Sequence, residues 1–371
     1  MIDKNNKIPA YIQLKTDLMG RIRKGKAGVK LPSINELMRE FGVSLATVNR
    51  ALNTLEQDGL IDRRKGKGIF AANIDRETIH EAADHRGKQT VLFARPAPYP
   101  NSYIAEMVHE RVEAAVLVEG MHVVTIMLKK ETTYEFFFET VKRYPDAAAV
   151  FLLPARPLTG SDVKRFASLG FPFIIFEDTG FVTGGSVCAV SPDYFACGKM
   201  MAEYLIRHGH RRIGYIGNEP KTPAVIKRID GIRKACAVAG IPAADLLMTD
   251  RRIAHWESSL AAGYTLTGEL MTPRHPTGLI YDSTAGALGG IRCLAERGLR
   301  VPGDVSVIGE SDCPFFEYAN PPITALAHDY DAMIAHAFSV MRGTADFHAY
   351  TISTHIIERS SVASAVSLSR E

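Results

Sequence analysis

Between residues 60 and 70 the chain reads Leu-Ile-Asp-Arg-Arg-Lys-Gly-Lys-Gly-Ile-Phe, four cations set around two glycines. Apolar ends bracketing such a turn read as a β-hairpin wing, on which Arg63, Arg64, Lys65 and Lys67 can meet phosphates or an adjacent minor groove. Just upstream, helical spacing from a Ser44 cap puts Val48, Ala51, Leu52 and Leu55 on one face. Ala46, Asn49, Arg50 and Asn53 share the other. That small polar face with one cation fits a major groove ~12 Å wide, where an Asn amide matches the donor and acceptor of adenine. No comparable constellation points to catalysis. Gly-x-Ser-x-Gly, His-Glu-x-x-His and a P-loop are absent, and no Gly-x-Gly-x-x-Gly follows the apolar run 91–94. His208-x-His210 lies in a basic turn without an acid or cysteine to complete a metal site. The expectation is a binder of polyanions with no catalytic residue, no metal and no cofactor.

These groups need elements to carry them. Tyr11, Leu14, Leu18 and Ile22 recur at helical spacing over residues 10–23. Leu31-Pro32-Ser33 starts a second helix, with Ser33 and Glu36 as a capping box and Ile34, Leu37, Met38 and Phe41 as the buried stripe. Gly42 ends it, and the tight turn to Ser44 makes a helix-turn-helix. Residues 73–90 are polar and read as a linker, with a helical pattern at 75–83. Beyond it come short apolar runs at 91–94, 123–128, 149–153, 173–176, 213–217, 278–281 and 305–309. Helical patterns lie at 103–119, 133–144, 161–169, 193–207, 224–239, 258–271, 285–297 and 330–341. Strands buried on both faces and mostly followed by a crossover helix imply parallel, doubly wound sheets. Their total length suggests two lobes, with a ligand cleft at the carboxyl ends of the strands.

Composition agrees. With 371 residues, 46% apolar and 23% charged, the chain is long enough for two or three packed units. No apolar stretch approaches the roughly 20 residues of a membrane span, and the first residues carry no secretory pattern, so a cytoplasmic protein is expected. Five scattered cysteines fit reduced thiols in the core. Residues 1–75 hold 14 Lys and Arg against 8 Asp and Glu, a net +6, while the remainder carries −3. The basic excess belongs to the N-terminal module alone, as expected of a polyanion reader joined to a larger domain.

Residues 9–70, with L-P-S, E-L, F-G-V-S, T-V, A-L, L-x-x-x-G-L-I and R-x-G-K-G-I-F in order, resemble the winged helix-turn-helix of GntR-family repressors. The resemblance implies contact with double-stranded operator DNA through Ser33, Asn35, Ser44, Leu45, Ala46, Thr47, Asn49, Arg50, Arg64, Lys65, Gly66 and Lys67. Asn35, Leu45 and Asn49 stand where that family often carries arginine, so no operator sequence transfers. A second resemblance runs over residues 90–361. L-I-R-H-G-H-R-R-I-G-Y-I-G from Leu205, Arg228-x-x-Gly231, R-G-L-R-V-P-G-D-V-S-V-I-G from Arg297 and I-E-R-S-S from Ile357 are similar to the effector domain of LacI/GalR repressors, itself similar to periplasmic sugar-binding proteins.

The composite resembles bacterial arabinose repressors. It implies an α/β chain: a small winged helix-turn-helix domain (1–72), a linker (73–89), and a two-lobed, doubly wound parallel-sheet effector domain (90–371) that also dimerises. Arg228 stands at that family's cleft arginine, Tyr103 at a ligand-packing aromatic and Glu177 at an acidic cleft position. Trp256, the only tryptophan, offers a stacking platform. Ser283 and Thr284 replace an expected Asn-Asp, with Asp282 beside them, and Gly309-Glu310-Ser311-Asp312 replaces G-F-D-D, leaving a sugar-binding carboxylate missing or displaced. The expected effector site is Tyr103, Glu177, Arg228, Trp256, Asp282, Thr284 and Ser311. The expectation is a cytoplasmic homodimeric repressor without membrane contact, controlled by a small molecule, a sugar or sugar derivative. The rival readings are a sugar-processing enzyme using the same cleft and a secreted solute receptor.

Overall fold

The computed structural model describes residues 14, 17, 18, 21, 29–57, 61–64, 67–71, 90–97, 103–178, 180 and 185–365, and the chain divides into two units, Met1–Arg86 and Gly87–Glu371. The first holds β1 (Lys30–Leu31), α1 (Ile34–Phe41), α2 (Leu45–Gln57), β2 (Ile61–Arg64) and β3 (Gly68–Ala71). Ser33 caps α1 by accepting from the Glu36 amide, while the Glu36 carboxylate accepts from the Ser33 amide at 2.7 Å. Those bonds from Ser33 hold the Glu36 carboxyl below its ordinary range. Gly42 ends α1 at φ 64°, a left-handed conformation glycine adopts without steric cost, and the chain turns there toward α2. Leu37, Phe41, Val48, Leu52 and Leu55 pack with Leu14, Leu18, Ile61 and Ile69 in one core. Most of the expected helix 10–23, and the linker with its helical pattern at 75–83, lie outside the described residues. β2 and β3 pair antiparallel as the expected wing, and β1 adds to β3, a strand where the sequence pattern suggested only a helix entry.

The second unit has two six-stranded sheets. One lobe is built on β4 (Thr90–Pro96), β5 (His122–Leu128), β6 (Ala149–Leu152), β7 (Phe173–Ile175), β8 (Val187–Pro192) and β14 (Tyr350–Ile352), in the order β14-β8-β7-β6-β4-β5. Its helices include α3 (Tyr103–Val118), α4 (Tyr134–Val141) and α5 (Gly160–Ala167). The other lobe has β9 (Ile213–Ile216), β10 (Leu246–Met248), β11 (Gly278–Tyr281), β12 (Ser306–Gly309), β13 (Thr324–His328) and β15 (Thr354–Ile357), in the order β10-β9-β11-β12-β13-β15. Around it lie α6 (Tyr194–Arg207), α7 (Pro223–Val238), α8 (Ser259–Leu270), α9 (Thr284–Glu296) and the short α10 (Pro314–Glu317). Every pairing in both sheets is parallel except β13 with β15. The all-buried runs of β6, β9, β11 and β12 follow from helices on both faces.

The chain passes between the lobes three times: from β8 into α6, from β13 into α11 (Tyr330–Met341), and from β14 into β15. Helix α11 packs Met333, Ile334, Ala337 and Phe338 into the core of the first lobe, although its flanking strand β13 belongs to the second. Two of the crossings are tied together where the Asp329 amide donates to the Ser353 carbonyl at 3.1 Å.

Candidate functional site

A cavity of about 380 Å³ lies between the lobes at the carboxyl ends of their strands, within the usual range for small-molecule sites. Arg228 reaches it from α7. The glycines of α6 and α7 make that possible: a Cβ on Gly231 would stand 2.0 Å from the Phe195 carbonyl, and one on Gly198 would stand 1.9 Å from that of Arg228. The two helices therefore cross backbone to backbone, which is the structural content of the Arg-x-x-Gly spacing.

The Arg228 side chain is 6% exposed and held between two acids. One Nη donates to Asp282, which directly follows β11, and the other donates to Glu310, which directly follows β12, at 3.1 Å. The Tyr194 ring lies 5.3 Å from the guanidinium carbon. Glu310 also accepts from His328 Nε2 at 2.8 Å and from the Ser311 hydroxyl at 2.5 Å. Burial alone would raise the Glu310 carboxyl, but Arg228 and His328 outweigh it and hold the group at about 2. Asp282 goes the other way. Burial raises its carboxyl above the usual range against the pull of Arg228 and of the Tyr215 hydroxyl beside it. Burial lowers the Arg228 guanidinium, yet the two acids carry it well above its ordinary value.

All seven expected effector residues line this one cavity. Tyr103 opens α3 and meets Phe315 edge-on at 5.4 Å. Glu177 follows β7, takes a hydrogen bond from the Tyr194 hydroxyl and is pushed up by burial to about 7. Trp256 sits at φ 72°, a left-handed conformation that is strained for a bulky residue. Ser311, at φ 60°, spends its hydroxyl on Glu310, and the Thr284 hydroxyl donates to the carbonyls of Glu310 and Ser311. Both therefore shape the cavity wall more than they offer free donors. Of the two acids in Gly309-Glu310-Ser311-Asp312, Glu310 lines the cavity, and Asp312 forms a forked pair with Arg359 at 2.7 and 3.0 Å.

The sequence reading missed Tyr194, Glu219, Glu310, His328 and Tyr330, all in the lining. Glu219, Glu310 and His328 share one signal, their place at the carboxyl end of β9, β12 or β13. Burial pushes Glu219 up to about 7. The His208-x-His210 pair is occupied within the fold. His208 Nδ1 contacts the Tyr204 carbonyl at 2.9 Å, while His210 meets the Thr277 hydroxyl at 2.9 Å and the Ala363 carbonyl at 3.1 Å. Among the described residues no group of three metal-ligating side chains occurs, all five cysteines are buried thiols, and no helix is long and apolar enough to cross a membrane.

In the first unit, Asn35, Ser44, Leu45 and Ala46 are exposed and Thr47 and Asn49 half-buried, while Val48, Ala51, Leu52 and Leu55 are fully buried. The Ser33 hydroxyl is used by its cap and by Glu36, and Ser44 accepts from the Thr47 amide at 3.3 Å. Asn53 and Arg63, which the sequence pattern offered to DNA, bind one another at 2.8 Å, and Arg63 also meets Glu56 at 3.4 Å. Arg64 is exposed, with its guanidinium 4.8 Å from the Phe70 ring centre and 3.7 Å from Asp62. Lys67 is exposed at the wing turn. Lys65 and Gly66 lie outside the described residues, as does the side chain of Arg50.

Residues 10–71 match the gntR family of bacterial regulatory proteins, and residues 202–362 match the periplasmic binding protein-like domain. The HTH-type transcriptional regulator DegA of Bacillus subtilis is 26% identical over 306 residues, covering 81% of this chain and 88% of its own. The arabinose metabolism transcriptional repressor of Geobacillus stearothermophilus is 24% identical over 335 residues, 88% of each chain. Among solved structures, a LacI family transcriptional regulator from Enterococcus faecium with bound ribose superposes with a TM-score of 0.61 at 22% identity, over 74% of this chain and 99% of its own.

Proposed function

We propose, taking as premise that this chain joins a gntR-family DNA-binding domain to a periplasmic-binding-protein-like domain and that its homologues are transcriptional regulators and repressors, that its operator affinity is set by a small carbohydrate in the cleft. The observation that carries the reading is the cavity itself. It is lined from both lobes, with Tyr103 and Trp256 in its wall and a buried arginine fixed between two carboxylates. Aromatic faces suit the apolar side of a sugar ring, and preset charged groups suit its hydroxyls. The ribose held by the Enterococcus relative is consistent with such a ligand.

The exposed face of α2 and the wing read DNA. Two copies of the chain associate, so that paired wings meet half-sites one helical turn or multiples apart. The protein works in the cytoplasm, where its operator is, and acts as a regulator rather than an enzyme, in keeping with relatives that are transcriptional regulators. Ligand changes the balance of lobe arrangements, and a coupling of about 1–3 kcal/mol alters operator affinity some 5–150-fold.

The test begins with operator selected from randomised DNA by the full chain. Fluorescence anisotropy on that operator, with and without a panel of pentoses and hexoses, should show at least one sugar shifting the midpoint fivefold or more. Light scattering of the complex should give two chains per operator. An operator affinity unmoved by every sugar, or a sugar recovered chemically altered, overturns the reading.

A further inference from the structure

The acids around the cavity outnumber the cations that answer them. Asp178 pairs with Lys227, Glu257 with Arg251 at 2.5 Å, and Asp282 and Glu310 share Arg228. Arg156, the other arginine of the lining, donates to the carbonyls of Lys130 at 2.9 Å and Thr132 at 2.5 Å. Among the described residues, Glu177 and Glu219 have no basic partner, and they enter from opposite lobes, after β7 and after β9.

Their surroundings differ. Glu177 lies in the field of Arg228 and accepts from the Tyr194 hydroxyl. Glu219 is met by the hydroxyls of Ser259 and Ser283 and by the Asn218 amide at 3.3 Å, and the charged groups that act on it are the acids Asp282 and Glu310. Neutral donors surround this carboxyl without neutralising it. Burial outweighs the pull of Arg228 on Glu177 and meets no counter-charge at Glu219, and both groups are pushed up to about 7; without a basic hydrogen-bond partner, they are the acids of the lining placed to answer a cation entering the cavity. An anionic ligand would meet the same acids as repulsion.

We propose that the ligand of this cleft is a sugar-like molecule carrying a protonated amino group, and that Glu219 is the carboxylate receiving that group. The assignment rests on the carbohydrate-sensor reading and narrows it: amino sugars fit, neutral sugars fit less well, and uronates and sugar phosphates are excluded. Glu177 accepts hydroxyls of the same molecule from the other lobe, so that one ligand engages both walls.

The test uses the full chain and matched sets: glucose, glucosamine and glucuronate, then galactose, galactosamine and galacturonate, titrated by calorimetry at pH 7. A hydrogen bond between charged groups exceeds its neutral counterpart by enough to give the amine about tenfold tighter binding than its parent sugar, with the uronate weakest. In Glu219→Gln the ratio of amine to parent affinity should fall to about one. That ratio discriminates lost charge pairing from general damage, which weakens both ligands together. If Glu219→Gln fails to fold, the wild-type ratio still decides. A parent sugar that binds as well as its amine, or a Glu219→Gln chain that keeps the preference, overturns the assignment and leaves the carbohydrate reading standing. No binding in either set overturns the assignment, and the carbohydrate reading is then decided by the panel of pentoses and hexoses.

Discussion

Arg228→Ala should unsettle the sensor unit before it alters any response to ligand. Among the described residues the wild-type guanidinium is the one cation paired with both Asp282 and Glu310, whose side chains are 0% and 6% exposed. Removing it leaves two buried carboxylates, with His328 as the remaining basic contact of Glu310. Breaking a buried pair from one side costs about 3–5 kcal/mol. Protonating one carboxyl caps the loss near 4 kcal/mol, the cost of neutralising an acid of ordinary pKa at pH 7. For a unit of this size that is a fall in melting temperature of about 6–16 °C, at roughly 2–4 °C per kcal/mol. Differential scanning calorimetry of the full chain reads it.

The pH course carries the sign. In the wild type Glu310 is held at about 2, so its stabilising share is present above the unfolded value near 4 and is lost only as pH falls toward 2. In the variant both acids shift upward, and lowering the pH from 7 to 5 should recover stability. The gap between the proteins should therefore narrow on acidification. A variant melting within 2 °C of wild type at pH 7, or a gap that widens toward pH 5, would refute the buried-cluster argument.

Four further outcomes follow from the same structure. Lys67→Ala, at the exposed wing turn, should weaken specific and random DNA binding alike and flatten the log K against log salt slope by about 0.9; an unchanged slope removes its phosphate contact. Asn49→Arg on α2 should move one position of the selected operator from A toward G, with about 1–3 kcal/mol of discrimination, and identical selections from both proteins would exclude base reading by Asn49. Trp256 is the only tryptophan and lines the cavity, so a sugar that stacks on it must change the intrinsic emission; calorimetric binding without an emission change takes Trp256 out of the contact. Glu219 has a folded value of about 7, above the unfolded value near 4.3, so it lowers stability as pH rises between the two. Glu219→Gln should accordingly stabilise the sensor unit at pH 8 by up to about 4 kcal/mol and have little effect at pH 4, and equal shifts at both would contradict that titration.

The elements legible in the sequence were those whose pattern has one physical explanation. The run 91–94 within β4 and the strands β6, β9 and β11 carry no charged residue because helices cover both faces, and Ser33 with Glu36 marked the start of α1. Strand β8 ends on Pro192, β13 reads Thr-Ala-Leu-Ala-His, and β1 is two residues long. Each is a strand only because a neighbour presents an edge to it. The same holds in the cleft. Glu177 and Arg228 were found because single positions matched a known pattern, whereas Glu310 was passed over because that pattern has phenylalanine there and directs attention to the next position, Ser311. A uniform look at the first residues after every strand would have found Glu219, Asp282 and Glu310 together. What no linear reading could supply is that Arg228 is shared, because its two partners follow different strands.

The three passages between the lobes set a timetable for biosynthesis. The first lobe has its strands up to β8 by residue 192, but α11, which covers Phe151, and β14, which extends the sheet from β8, begin only at residues 330 and 350. At ~5–20 residues per second, the ribosome needs roughly 7–28 s to bridge the interval to α11. For that time the nascent lobe presents an apolar sheet face and an unpaired edge at β8, the features that invite mispairing with other chains. The second lobe is threaded through the same interval and closes only when β15 arrives, so neither half can mature before the other is almost complete. A nascent chain stalled between residues 192 and 330 should therefore be a chaperone client and be cut readily by protease, while the finished chain resists.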